Sequence, residues 1–211
     1  MDPIFLIIQI AILLISVVIH EVSHGAMAYK LGDPTAKYAG RLTLNPIKHL
    51  DLWGSFLIPL FLLAVGSSVL FGWAKPVPYN PHNLKNQRWG PAQVAVAGPA
   101  SNLFIALIFG LGLRFIPWGV SAFAYNLIQV FGIIVLLNLL LAVFNLLPIP
   151  PLDGSKILFA VLPYRFDHIR ATLERYGFFI LIFFIFFLFR FIIPIVIWLF
   201  ELIVGKSKFF I

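Results

Sequence analysis

His20-Glu21-Val22-Ser23-His24 follows an apolar run from Ile4 to Val18, and the two together decide how the chain is read. A helix from Pro3 to about Lys30 is long enough to cross a bilayer, which takes about 20 residues at about 1.5 Å each. Histidines four apart on that helix lie one turn apart on one face, so their ring nitrogens can converge on one ion. Glu21 directly follows the first histidine. From there its carboxylate can reach a metal-activated water instead of the ion. Three ionisable groups in a membrane-length helix are costly unless they serve a site. A polar helix end at the membrane surface accounts for one such residue, not for three at this spacing.

Composition places the whole chain in the membrane. Of 211 residues, 61% are hydrophobic and 11% charged, with mean hydropathy +1.01; a soluble domain carries about 25% charged residues. The apolar runs far exceed the roughly ten residues of a barrel strand. The expected fold is therefore an all-α polytopic membrane protein forming a single domain over residues 1–211. A net charge of +7 in such a chain reports loops on the positive side of the membrane, not nucleic-acid binding. No cysteine is present, which excludes disulfides and thiolate metal sites. Asp2 and Pro3 lead straight into the apolar stretch with no basic n-region, so the first segment reads as a retained helix with Asp2 as its N-cap.

Membrane helices are expected over about residues 3–30, 91–116, 122–147 and 177–204, the last kinked at Arg190 and Pro194. Residues 36–44 alternate partially and predict one or two short strands near the site, and Gly72 to Asn80 is rich in turn and extended-chain residues. Ala97 to Asn102 contains small residues that permit close helix approach. Asn145 to Gly154 reads N-L-L-P-I-P-P-L-D-G, three prolines leading into an aspartate and a glycine.

Two histidines do not complete a catalytic zinc site, which takes three protein ligands and an open position. His49, His82 and His168 sit in polar stretches and read as solvated. Asp153 is the preferred third ligand, with an N-cap for the helix starting near Gly154 as the other reading. If Asp153 joins His20 and His24, the exit ends of the first helix and of the helix over 122–147 lie on one side. That holds if residues 52–71 form a re-entrant or partly inserted segment. Loops 30–51, 72–90 and 148–176 then share a side and carry eleven Lys and Arg, against Arg114 alone opposite. This is a positive-inside pattern. It predicts a site toward the cytoplasm and an N-terminus outside.

The His20–His24 motif, Ala97-Gly98-Pro99-Ala100-Ser101-Asn102 and Asn145 to Gly154 together resemble the site-2 protease family of intramembrane zinc metalloproteases, over roughly residues 4 to 160. The resemblance implies one Zn2+ held by His20, His24 and Asp153, with Glu21 as the catalytic glutamate. It also implies hydrolysis of peptide bonds in or near transmembrane segments of membrane-protein substrates, in the plasma membrane of a prokaryote. The PDZ and paired regulatory modules of many members are not seen, so recruitment would fall to a separate protein. Asn102 and Asn145 read equally as substrate or oxyanion contacts and as interhelical hydrogen bonds. Substrate capture is expected by strand addition along residues 36–44 or 72–78. The competing functions are a membrane metal transporter or carrier and an inactive scaffold of the same family.

Overall fold

The computed structural model describes residues 3–65, 74–115 and 121–205. Helix α1 spans Pro3–Lys30 and ends at Gly32, whose φ of 110° takes the left-handed turn that stops it. Then come α2 (Thr35–Tyr38), a 3-10 turn (Pro46–His49), and a π turn (Leu52–Leu57) running into α3 (Ile58–Ala64). Next are α4 (Gly90–Phe115), α5 (Ala122–Asn145) and the short α6 (Asp153–Val161). The last arm is α7 (Asp167–Phe183), a π turn and a 3-10 turn over Phe184–Phe191, and α8 (Ile192–Val204).

Among the described residues, four helices are long and apolar enough to cross a membrane: Ile4–Lys30, Gly90–Phe115, Phe123–Asn145 and the broken arm Asp167–Val204. The protein is thus an all-α integral membrane protein. Helix α4 is central, packed on α1, α5, α6 and α8. Ala106 and Leu113 of α4, Val135 and Leu139 of α5, and Ile192, Val196, Phe200 and Val204 of α8 form one buried cluster. The four α8 positions recur every fourth residue, so one face packs inward. Ile193, Ile197, Trp198 and Leu202 on its other sides are exposed in the chain alone and suited to lipid. The N-terminal end of α4 meets the C-terminal half of α1, where His24 Nδ1 donates to Val94 O at 2.7 Å. The chain therefore leaves α1 and enters α4 on the same side, as the predicted topology requires. Residues 52–65 form no membrane-length helix; residues 66–71 of the expected re-entrant segment, like Asp2, lie outside the described residues.

Two expectations need correction. No strand occurs among the described residues. Residues 35–38 are helical because Asp33 Oδ1 accepts from Thr35 N (3.2 Å) and Thr35 Oγ1 (2.6 Å) and so starts a turn. Gly40 N and Arg41 N then close back on Lys37 O and Ala36 O, which uses up the backbone a ladder would need. The last arm also starts at Asp167, ten residues before the expected 177. Residues 167–176 are polar but good helix formers, with Arg170 Nε and Glu174 Oε1 paired at 3.2 Å one turn apart. The arm is kinked as predicted, but over Phe184–Phe191, where Arg190 stacks its guanidinium 5.1 Å from the Phe191 ring centroid.

Candidate metal centre

His20 and His24 project from the same face of α1 toward α4 and α6. Two glycines make the approach possible. A Cβ on Gly98 would stand 2.5 Å from the His24 ring and 2.6 Å from the His20 ring. A Cβ on Gly154 would run into the Leu146 and Leu147 carbonyls, so only glycine lets α6 fold back under the end of α5. That fold places Asp153 at the first helical position of α6, with Leu152 in the N-cap position. The N-cap reading is thereby set aside.

Asp153 Oδ2 lies 3.2 Å from His20 Nε2 and 3.2 Å from His24 Nε2, and the two Nε2 atoms are 3.0 Å apart. Ligands of a tetrahedral zinc at about 2.0–2.1 Å stand roughly 3.3 Å from one another, close to this spacing. Protonation agrees. Val94 O can only accept, so His24 Nδ1 carries the proton. His20 Nδ1 faces Asn102 Oδ1 at 2.6 Å, and Asn102 Nδ2 donates to Asn138 Oδ1 (2.8 Å) and Ser16 O (3.4 Å), which orients the amide. Both neutral rings then point an Nε2 lone pair at Asp153 Oδ2, which is buried and without a hydrogen-bond donor. Three lone pairs facing one point fit a cation.

Glu21 is half-buried and lines the same cleft, about 260 Å³ in volume, together with Val77, Tyr79, Asn145 and Lys156. Its Oε2 accepts from Val77 N at 2.8 Å. Val77 belongs to a segment, 74–80, held by one backbone bond and by side chains, and not by a sheet. Lys75 N donates to His49 O (2.8 Å), Arg41 Nη2 to Lys75 O (2.9 Å), and Asn80 N to Asp33 Oδ2 (2.6 Å). Asn83 Nδ2 donates to Asp33 Oδ1 at 2.8 Å. Burial raises the Asp33 carboxyl, but bonds from Thr35, Asn83 and Asn80 lower it by more. Burial, with help from Asp153, pushes the Tyr79 phenol up, so it remains a proton donor at neutral pH.

The structure brings His20, Glu21, His24, Asp153 and Asn145 to one cleft. Asn102 is fully buried behind His20 and does not line the cleft. Of its two readings the interhelical hydrogen bond is the observed one, and the substrate contact gives way to positioning of His20. His49, expected to be solvated, is fully buried: its Nε2 donates to Thr43 O at 2.8 Å in the loop that supports Lys75. His82 and His168 are exposed as expected. Sequence reading missed Asp33, Arg41, Tyr79, Asn138 and Ser16 as parts of the site. Asp33 reads as part of a helix stop, Arg41 as one topogenic charge among eleven, and Ser16 as a polar break in an apolar run.

A two-histidine helix and an aspartate from a second helix, meeting inside a bundle of membrane-length helices, define a membrane metallopeptidase architecture. The chain matches Peptidase family M50 over residues 8–120 and 117–188. It belongs to that family, the site-2 proteases. It is 45% identical over 170 residues to YwhC of Bacillus subtilis, provisionally named a zinc metalloprotease, with 79% of this chain and 74% of that protein covered. Rip2 of Mycolicibacterium smegmatis, provisionally named likewise, is 33% identical over 177 residues, covering 83% of this chain and 65% of that protein. Zinc metalloprotease MJ0392 of Methanocaldococcus jannaschii is 25% identical over 171 residues, covering 81% of this chain and 39% of that protein. No solved structure matches the chain.

Proposed function

We propose that the protein is a zinc-dependent intramembrane endopeptidase that hydrolyses peptide bonds in or near the transmembrane segments of other membrane proteins. The observation that carries this reading is the convergence of His20 Nε2, His24 Nε2 and Asp153 Oδ2 with Glu21 in the same cleft. A zinc ion held by these three atoms supplies Lewis-acid polarisation of a carbonyl and a water acidified toward about pKa 7.

The remaining work falls to the chain. Val77 N fixes the Glu21 carboxylate by one oxygen, leaving the other to take a proton from the attacking water and pass it to the departing amine. Asn102 and Val94 O hold the two histidine rings with Nε2 deprotonated. Asn145 lines the cleft and spends only Nδ2, on Leu141 O, which leaves its carbonyl oxygen for substrate. A helical peptide bond is shielded by its own hydrogen bonds, so the substrate unwinds locally. The segment 74–80, whose Val77 O and Tyr79 N have no backbone partner among the described residues, offers an edge to the unwound chain.

On this reading the cleft faces the cytoplasm of a prokaryotic cell across its plasma membrane, and a separate protein recruits or regulates. The test is incubation of the purified protein with a panel of single-span substrates, with chelator and after zinc is restored. Cleavage that chelation stops and zinc restores supports the reading. A panel left intact, with metal transported or merely bound, supports the carrier or scaffold alternative.

A further inference from the structure

Beside the catalytic cleft lies a second cavity of about 460 Å³, walled by Tyr79, Arg88, Lys156, Phe159, Asp167 and Arg170 among others. Tyr79 and Lys156 line both spaces, so the two adjoin. Lys156 stands about one helical turn past Asp153 on α6, on the wall between them. The walls come from the segment before α4, the first residues of α4, α6 and the polar start of α7. The cavity therefore sits at the end of the bundle that also holds the cleft, among the polar residues there. Three of these six residues are cations and one, Asp167, is acidic. Arg170 and Lys156 sit over the Phe159 ring, 5.3 and 5.8 Å from its centroid. Arg88 Nε is tied to Ala160 O at 3.1 Å. Lys156 makes no ion pair among the described residues, and Arg170 is offset by Glu174 outside the lining.

We propose that this cavity is a specificity subsite for the aqueous flank of the substrate, the stretch that leaves the cleft past Tyr79, and that it selects acidic or neutral flanks over basic ones. The inference rests on the proteolytic reading above. Most membrane proteins carry Lys and Arg where they emerge on the positive side. A cationic exit repels those flanks and admits the minority whose flank is acidic, so the same charges reject ordinary membrane proteins and bind the intended class. Adjacency to the cleft favours a polypeptide flank over a lipid headgroup, because a chain leaving the cleft past Tyr79 and Lys156 meets these residues.

The test measures binding of three single-span peptides, identical except for an acidic, neutral or basic flank. The protein is the zinc-loaded Glu21→Gln variant in zwitterionic nanodiscs, which leaves the peptides uncleaved. The acidic flank should bind about five- to tenfold tighter than the basic one at low salt, from two or three partly exposed charges, and the gap should narrow at high salt. Lys156→Glu with Arg170→Glu should reverse the order, and Asp167→Asn should widen the original gap without touching the cations. Equal affinities across the three flanks overturn the proposal. So does a flank-independent affinity together with retention, in a second set of nanodiscs doped with an anionic lipid, that only the charge reversals abolish, which assigns the cavity to a headgroup. A flank preference in binding with no metal-dependent cleavage by the unsubstituted protein sustains the subsite and refutes the proteolytic reading.

Discussion

Replacing Asn102 with leucine should loosen zinc without touching a ligand. Asn102 Oδ1 accepts from His20 Nδ1 at 2.6 Å, the shortest bond in the buried network of His20, Asn102, Asn138 and Ser16. Leucine keeps the volume and removes the acceptor. His20 can then carry its proton on either nitrogen and its ring can rotate, and the tautomer with Nε2 protonated cannot ligate. Loss of such an orienting partner costs about 10- to 100-fold in metal affinity, or about 1.4 to 2.7 kcal/mol at 1.36 kcal/mol per tenfold. The bilayer-buried bonds from Asn102 to Asn138 and Ser16 add only about 0.6 kcal/mol each to helix association, so the folded bundle should survive. Competition against a chelating dye in detergent reads the affinity, and thermal unfolding of the zinc-free protein reads the fold. Asn102→Asp retains the acceptor and should keep zinc far better than leucine does. Affinity unchanged within twofold in Asn102→Leu, with the bundle intact, would refute the claim that this residue sets the His20 tautomer.

Other outcomes follow from the same geometry. Gly98→Ala places a methyl about 2.5 Å from both histidine rings, so zinc content should fall sharply while far-ultraviolet circular dichroism is unchanged. Gly154→Ala meets backbone carbonyls that cannot swing away; it should cost more than Gly98→Ala in both zinc content and thermal stability, since α6 must leave its seat. Asp33 has a folded pKa below its unfolded value of about 3.9. Its stabilisation is therefore present above about pH 4 and is lost as pH falls through the lower folded value. The Tm advantage of the unsubstituted protein over Asp33→Asn should be constant from pH 7 to about 5 and shrink below about pH 4. Asp33→Asn should also lower turnover more than substrate affinity at pH 7, because Asn80 anchors the segment that holds Glu21.

Much of the architecture was legible because hydrophobic length is a coarse signal that the bilayer enforces. The boundaries of α1, α4 and α5 fall within two residues of those expected. The grouping of His20, His24 and Asp153 was legible for a related reason: with few ionisable groups in apolar surroundings, the requirement for a third ligand pointed to Asp153, which the structure places beside both histidines. What the pattern hid was the support around the site. Asp33 and Arg41 lie in a polar loop where a structural charge and a solvated one look alike in sequence, and only the fold shows them holding residues 75–80. Alternation over 36–44 suggested strands because period two is a weak signal in nine residues, and a single aspartate cap at residue 33 outweighed it. Asn102 and Asn145 are the same residue type in similar surroundings. Position alone separates them, one behind a ligand and one lining the cleft.

We propose that His20, His24 and Asp153 hold one catalytic zinc on which Glu21 acts as base without ligating it. Zinc stoichiometry and cleavage, measured together on the purified protein and on Glu21→Gln and Asp153→Ala, test it most directly. One zinc per chain is expected in the unsubstituted protein and in Glu21→Gln, with cleavage abolished in the latter, and loss of most zinc in Asp153→Ala. A full zinc complement in Asp153→Ala, or loss of zinc in Glu21→Gln, would contradict it.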